Sequence, residues 1–231
     1  MIKFFRKIRK KLVTENRFSK YLVYAIGEIF LVVIGILIAL QINTWNQNNQ
    51  IKQKEFKSLS ELQTNLLTNI AEIESFEEDQ KDIINRISKI LEYTSGDIKY
   101  HDSLETYFVG ISWLEQINLV SSTYETLKSN GLDIISSDSI RLNIINLHEV
   151  IYAQSKDLIK NVGQGLFIAE STPINNKYYK GENRYQSEEY LNYIKDRIRW
   201  KTDAIKNLNR AKEETRILIN QLEKELQVLK E

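Results

Sequence analysis

Between Leu22 and Ile42 the chain reads LVYAIGEIFLVVIGILIALQI, twenty-one residues in which Glu28 is the only charge. As a helix this run is about 31 Å long, which matches a hydrocarbon core of about 30 Å. It therefore predicts one transmembrane helix over residues 21–43. A cleaved signal peptide is the rival reading. Its apolar region would be roughly 7–15 residues long and would be followed by small residues at a cleavage site. Here the sequence LIALQINTW offers only Ala39 among bulky neighbours, so an uncleaved anchor is expected. No second apolar stretch of spanning length follows.

The charges orient this anchor. Lys3, Arg6, Lys7, Arg9, Lys10, Lys11, Arg17 and Lys20 precede the run against Glu15 alone, and the whole chain carries only +1. The remainder is therefore net acidic. Cations before the span and none just after it predict a cytoplasmic N-terminus and an extracytoplasmic main body. Tyr21, Tyr24 and Trp45 fall where interfacial aromatic residues belong. Ile2, Phe5, Ile8 and Leu12 recur at steps of three and four with lysines and arginines between them. Residues 1–20 thus read as a basic amphipathic segment against anionic headgroups, with Lys3, Arg6, Lys7, Arg9, Lys10 and Lys11 as its contacts. An acidic body argues against nucleic acid as a partner. The absence of cysteine fits either redox compartment.

From residue 44 onward the period is helical. Leu59, Leu62, Leu66, Ile70, Ile73, Phe76, Ile83, Ile87 and Ile90 form a seam interrupted by Gln80, and no proline or glycine occurs between Gly35 and Gly96. One helix is expected from the span to about Tyr93, with Gly96 as its stop. A helix capped by Asp102 or Ser103 is expected over 103–115. Ser122 and Glu125 form a capping box for the next, which Gly131 ends. Ser137 starts another, with Ile140, Ile144, Leu147, Ile151 and Leu158 as its stripe. Pro173 lies in the convincing loop STPINNKYYKGEN. Ser187 opens a last helix through Ile194, Ile198, Ile205, Leu208, Ala211, Leu218, Leu222 and Leu229. The segment LDII at 132–135 is too short for a strand. Residues 44–231 are expected to be an all-α antiparallel bundle with long, coiled-coil-like helices.

MIKFFRKIRKKLVTENRFSKYLVYAIGEIFLVVIGILIALQINTWN and, later, TYETLKSNGLDIISSDSIRLNII resemble an uncharacterised family of single-pass membrane proteins from Bacteroidetes, a domain of unknown function. The resemblance implies the anchored topology and a bacterial source, and it supplies no activity or site residue.

Nothing in the sequence assembles a catalytic centre, and no enzymatic activity, cofactor or metal is expected. There is no cysteine nucleophile, and His101 and His148 are the only imidazoles. HEVIY lacks the second histidine of a zinc-protease helix, so His148 reads as a helix-face residue. GQG at 163–165 lacks the third glycine and the preceding strand of a dinucleotide loop, and reads as a kink near a helix end. ESFEEDQKD lacks the spacing of a calcium loop and reads as a solvated face. Tyr178, Tyr179, Tyr185 and Trp200 offer rings that either stack on a glycan or partner protein or pack the last helix onto the bundle.

Glu28 lies about 9 Å by helix rise from the cytoplasmic start of the span, where a carboxylate costs less than at the centre. It shares a helix face with Ala25, Gly35 and Ala39, and Gly35 and Ala39 form a small-xxx-small pair. These four residues are the expected seam of transmembrane self-association. The leading expectation is a non-enzymatic anchor that forms homo-oligomers and holds another membrane protein. The alternatives are an accessory subunit of a proton- or ion-linked complex using Glu28, and a helical-bundle sensor signalling through a partner.

Overall fold

The computed structural model describes residues 18–179 and 181–230. Lys3, Arg6, Lys7, Arg9, Lys10 and Lys11, with the amphipathic helix expected there, lie outside the described residues. The chain divides into two compact units, Met1–Gln53 and Lys54–Glu231. The described residues are helical or irregular and contain no strand, so the chain is all-α.

Helix α1 spans Phe18–Ser95. Within the first unit it carries the segment that, among the described residues, is long and apolar enough to cross a membrane. Large apolar side chains from Leu22 to Ile42 are exposed around the whole circumference, among them Phe30, Leu31, Ile34, Leu37 and Leu40. α1 ends in a Schellman motif: Ile98 N donates to Tyr93 O (3.0 Å) and Asp97 N to Thr94 O (3.3 Å). The left-handed residue is Asp97 at φ 54°, one position after the glycine expected to stop the helix. Aspartate tolerates that conformation better than most residues with a Cβ.

In the second unit α1 buries Glu55, Leu59, Leu62, Leu66, Asn69, Ile73, Phe76, Gln80, Ile83, Ile87 and Ile90. The steps alternate four and three, so one face stays turned to the core. Ile70, expected in that seam, sits at its edge, and Asn69 takes the buried position.

Several expected boundaries move. The 103–115 helix is a 3₁₀ stretch, Asp102–Phe108, capped by His101, whose Nδ1 accepts from Ser103 N at 3.1 Å. Gly110 ends it at φ 88°, a conformation no helix continues through. A Cβ on Gly110 would stand 3.1 Å from Ile83 Cγ1, so the chain crosses α1 there at close approach. Residues 113–121 then run without regular structure. They have no neighbouring strand, and polar side chains of α1 bond their backbone instead. Asn69 donates to Val120 O (2.9 Å) and accepts from Val120 N (2.6 Å), while Glu72 Oε1 accepts from Asn118 N at 3.1 Å.

Helix α2 spans Ser122–Asn130. Its expected capping box does not form: Thr123 N and Ser122 Oγ both donate to Asn65 Oδ1, so the cap comes from α1. Gly131 ends it at φ 102° as expected. A continuous helix, α3, covers residues 138–177, opened by Ser137, whose Oγ accepts from Ile140 N. Its turns are π-helical over Leu147–Tyr152, Leu158–Val162 and Phe167–Ser171. Wider turns rotate the buried face, so Ile159 is buried where a regular helix would bury Leu158. The expected loop at Pro173 is helical to Lys177: proline follows the last π turn, where its missing N–H and its ring are accommodated. GQG likewise lies inside α3, and Gly163 packs beneath Trp200. Helix α4 is Glu182–Gln186, and helix α5 is Glu188–Lys230, with Ser187 Oγ accepting from Tyr190 N.

α5 runs antiparallel to α1, since Gln63, Glu74, Glu77 and Gln80 meet Glu223, Arg216, Lys212 and Lys201 in turn. It is antiparallel to α3 as well, through Asn143–Gln221 and Tyr152–Thr215. The core has two apolar parts. One includes Leu59 to Phe76, Ile140 to Ile159 and Ala204 to Leu226; the other gathers Ile83 to Ile90, Leu104, Phe108, Ile111 and Tyr185 to Ile194.

Candidate functional site

Between these two apolar parts α1 steps from Phe76 through Gln80 to Ile83, and α5 from Ile194 through Arg197 and Lys201 to Ala204. The polar layer this creates closes on Glu115, which the 113–121 segment carries inward. Lys201 Nζ lies 2.5 Å from Glu115 Oε1 and 2.9 Å from Gln80 Oε1. Arg197 Nη2 donates to the same Oε1 at 2.8 Å, and its Nε donates to Ile111 O at 3.1 Å. Side-chain exposure is 3 % at Arg197, 2 % at Glu115 and 0 % at Lys201. Two cations thus share one buried carboxylate oxygen.

The electrostatics follow from that count. Burial alone would raise the Glu115 pKa, but Lys201 and Arg197 outweigh it and hold the carboxyl below its ordinary value. Burial pushes the Lys201 ammonium down, against the pull of Glu115, and Arg197 adds to the depression. The second carboxylate oxygen, Glu115 Oε2, is buried without a hydrogen-bond partner. A buried acceptor left unpaired costs about 1–3 kcal/mol.

A cleft of about 300 Å³ opens beside this layer. Glu115 and Lys201 line its inner end, and Glu72, Asp79, Asp82 and Arg86 of α1 line one side. Trp113, 60 % exposed, and Leu114 line the other, with Phe76 and Ile83 among the apolar lining. Arg86 pairs with Asp82 at 3.0 Å, while its Nε is buried without a partner.

The residues marked from the sequence fall elsewhere. Gly35 and Ala39 are exposed, Ala25 and Glu28 half-exposed, and a Cβ on Gly35 would meet nothing within 4 Å. The aromatic set divides. Tyr185 is buried with its hydroxyl on Ile98 O (2.7 Å), and so belongs to the core rather than to a surface. Tyr178 is half-buried and bonds Glu189, Tyr179 is exposed, and Trp200 lies over Gly163 with its Nε1 buried and unpartnered. His148 is buried rather than on an open face, stacked at 4.4 Å on Tyr124 with both ring nitrogens unpartnered. Among the described residues no group of three metal-ligating side chains could hold an ion.

Sequence reasoning missed the Glu115 cluster, although a signal existed. Arg197 and Lys201 occupy the phase of the apolar stripe running through Ile194, Ala204 and Leu208, where a solvated charge is out of place.

Fold and site together define an all-α protein that, among the described residues, carries one helix long and apolar enough to cross a membrane. The chain belongs to a family of unknown function (DUF6090), whose model matches residues 28–164. That match takes in most of the apolar segment and the Glu72–Gln116 side of the cleft, and ends before Arg197 and Lys201. No curated protein and no solved structure matches the chain.

Proposed function

We propose that the protein is a single-pass anchor of a bacterial inner membrane, of Bacteroidetes origin, acting by binding rather than by catalysis. Residues 1–20 lie on the cytoplasmic side against anionic headgroups, 21–43 span, and 44–231 form the extracytoplasmic body. One observation carries this reading: the apolar side chains from Leu22 to Ile42 are exposed on every side of α1. A helix apolar all round needs hydrocarbon or other helices as its surroundings. In the same reading the Ala25, Glu28, Gly35 and Ala39 face joins copies of the chain, and the assembly holds a partner membrane protein. The open space at Gly35 supports close helix approach there.

The chain has no native cysteine, so single-cysteine variants report cleanly. In intact spheroplasts a membrane-impermeant maleimide is expected to label Asn48→Cys and to spare Ser19→Cys until the membrane is opened. The opposite pattern, or a body released into the soluble fraction, overturns the anchor. Oxidative cross-linking in membranes is expected at Gly35→Cys and Ala39→Cys, and not at Leu37→Cys on the opposite face. Equal yields at all three positions overturn the self-association seam.

A further inference from the structure

We propose that His148 is the trigger of an acid-released latch: protonation of its ring detaches α2 from α3 while the rest of the bundle stays folded. The residue is only 7 % exposed, and both ring nitrogens are buried without a hydrogen-bond partner. A neutral imidazole tolerates such a site. An imidazolium brings a charge and two N–H donors into it and finds no acceptor there. Tyr124 of α2 stacks on the ring at 4.4 Å, so the group that titrates lies in the α2–α3 contact itself.

The same contact hangs on one carboxylate. Glu149 Oε1 accepts from the Tyr124 hydroxyl and from Lys128 Nζ, both at 2.6 Å, and these bonds tie α2 to α3. The titratable and charged groups around the ring come from both helices. α2 brings Tyr124, with Lys128 Nζ 5.9 Å from the centre of its ring and the charge of Glu125 acting on both. α3 brings Tyr152, edge-on at 5.2 Å, Lys156, which disfavours a charged ring, and Glu149, which favours it. α1 and α5 add neutral Asn69 and Thr215 at the Tyr152 hydroxyl. Glu149 is thus the counter-charge for an imidazolium, and α2 already engages it. A protonated ring must draw Glu149 away or reach water, and either course breaks the α2 contact. Opening bares Tyr124 and Leu127, which are buried when the latch is closed. The Asn65 cap ties the first turn of α2 to α1 and serves as the hinge. Neither the membrane orientation nor self-association of the anchor enters this inference.

The test is hydrogen exchange of the full chain in phospholipid nanodiscs at pH 7 and pH 5, corrected for the pH dependence of intrinsic exchange. Burial lowers the ring of the closed latch from its ordinary 6.5 to about 4, so the open state binds the proton first as the pH falls. Protection over residues 122–135 is expected to fall about twentyfold between pH 7 and pH 5. Residues 83–90 and 185–194, in the other apolar part of the core, are expected to keep theirs. His148→Phe keeps a ring against Tyr124 and has no proton to bind, and is expected to remove the pH dependence. A second measurement needs no variant. His148 and His101 are the only imidazoles, so their C–H signals are followed in the parent, and His148 is expected to stay neutral at pH 5.5 wherever α2 is closed. The proposal is overturned if residues 122–135 keep their protection at pH 5, or if the whole bundle loses protection alike. It is equally overturned if His148→Phe retains the pH dependence, or if His148 is charged at pH 5.5 while α2 stays protected.

Discussion

Helix α1 carries two apolar regions that follow different rules. From Leu22 to Ile42 large apolar side chains are exposed all round the helix, so position around it carries little information about what surrounds it. From Glu55 to Ile90 only one face is buried, at alternating steps of four and three, and three of its positions are polar. Each of the three has a named partner: Glu55 accepts from Ser136 N at 2.7 Å, Asn69 bonds both backbone groups of Val120, and Gln80 accepts from Lys201. The difference teaches that a polar residue in a protein-lined seam marks a docking point for another segment.

The polar layer is where that rule breaks most expensively. Glu115→Ala leaves Lys201 and Arg197 buried together without a counter-charge, and is expected to cost about 3–5 kcal/mol in denaturant unfolding of the bundle. If the layer specifies register rather than stability, replacing Glu115, Arg197 and Lys201 together by Leu, Leu and Met restores most of that loss. A triple variant as unstable as the single one contradicts this account. Next in size is a pair of equal truncations on the same helix. Leu62, fully buried, is expected to lose about 2–5 kcal/mol as Leu62→Ala, whereas Leu37→Ala leaves bundle unfolding within about 0.5 kcal/mol. Equal effects would erase the distinction between the two regions.

Asn69→Ala sharpens the docking-point argument. It strips Val120 of partners for both N–H and C=O, and is expected to cost about 2 kcal/mol. Asn65→Ala removes only the external cap of α2 and is expected to cost about 1 kcal/mol. The order of the two, measured by urea unfolding, is the decisive outcome. A larger loss at Asn65 would mean that the 113–121 segment is held chiefly through α2.

These cases also show what the sequence could tell. The seam of α1, the cap at Ser137, the start at Ser187 and the stop at Gly131 are legible because each depends on neighbours within one turn. The cap of α2 is not legible locally because Asn65, fifty-eight residues away from Thr123, outcompetes the local Ser122–Glu125 pair. The stripe of α3 departs from a regular spacing after Ile151 because the π-helical stretch Leu147–Tyr152 changes the period that such a spacing assumes. Glu115 lies in a segment with no period at all. Its partners on α5 were readable only as charges standing in an apolar phase.

His148 supplies an effect confined to a pH window of its own. Burial lowers its pKa from 6.5 to about 4, nearby Lys156 adds to the fall, and Glu149 opposes it. Tyr124 and Tyr152 pack around the ring. With the folded pKa below the unfolded one, the unfolded chain binds more protons between pH 6.5 and 4, so stability is full above pH 6.5 and falls as the pH drops toward 4. Between pH 7 and 5.5 the loss from this residue is about 1 kcal/mol. His148→Phe keeps an aromatic ring against Tyr124 and has no proton to bind, so its stability curve is expected to be flatter by that amount over the same interval. The carboxylate Glu77, brought to about 2 by Lys212 and Lys81, loses its contribution only below about pH 4.5, so the two groups separate on the pH axis. A His148→Phe curve parallel to the parent between pH 7 and 5.5 would show that the imidazole titrates alike in both states, and the buried, unpartnered ring would then need a different explanation.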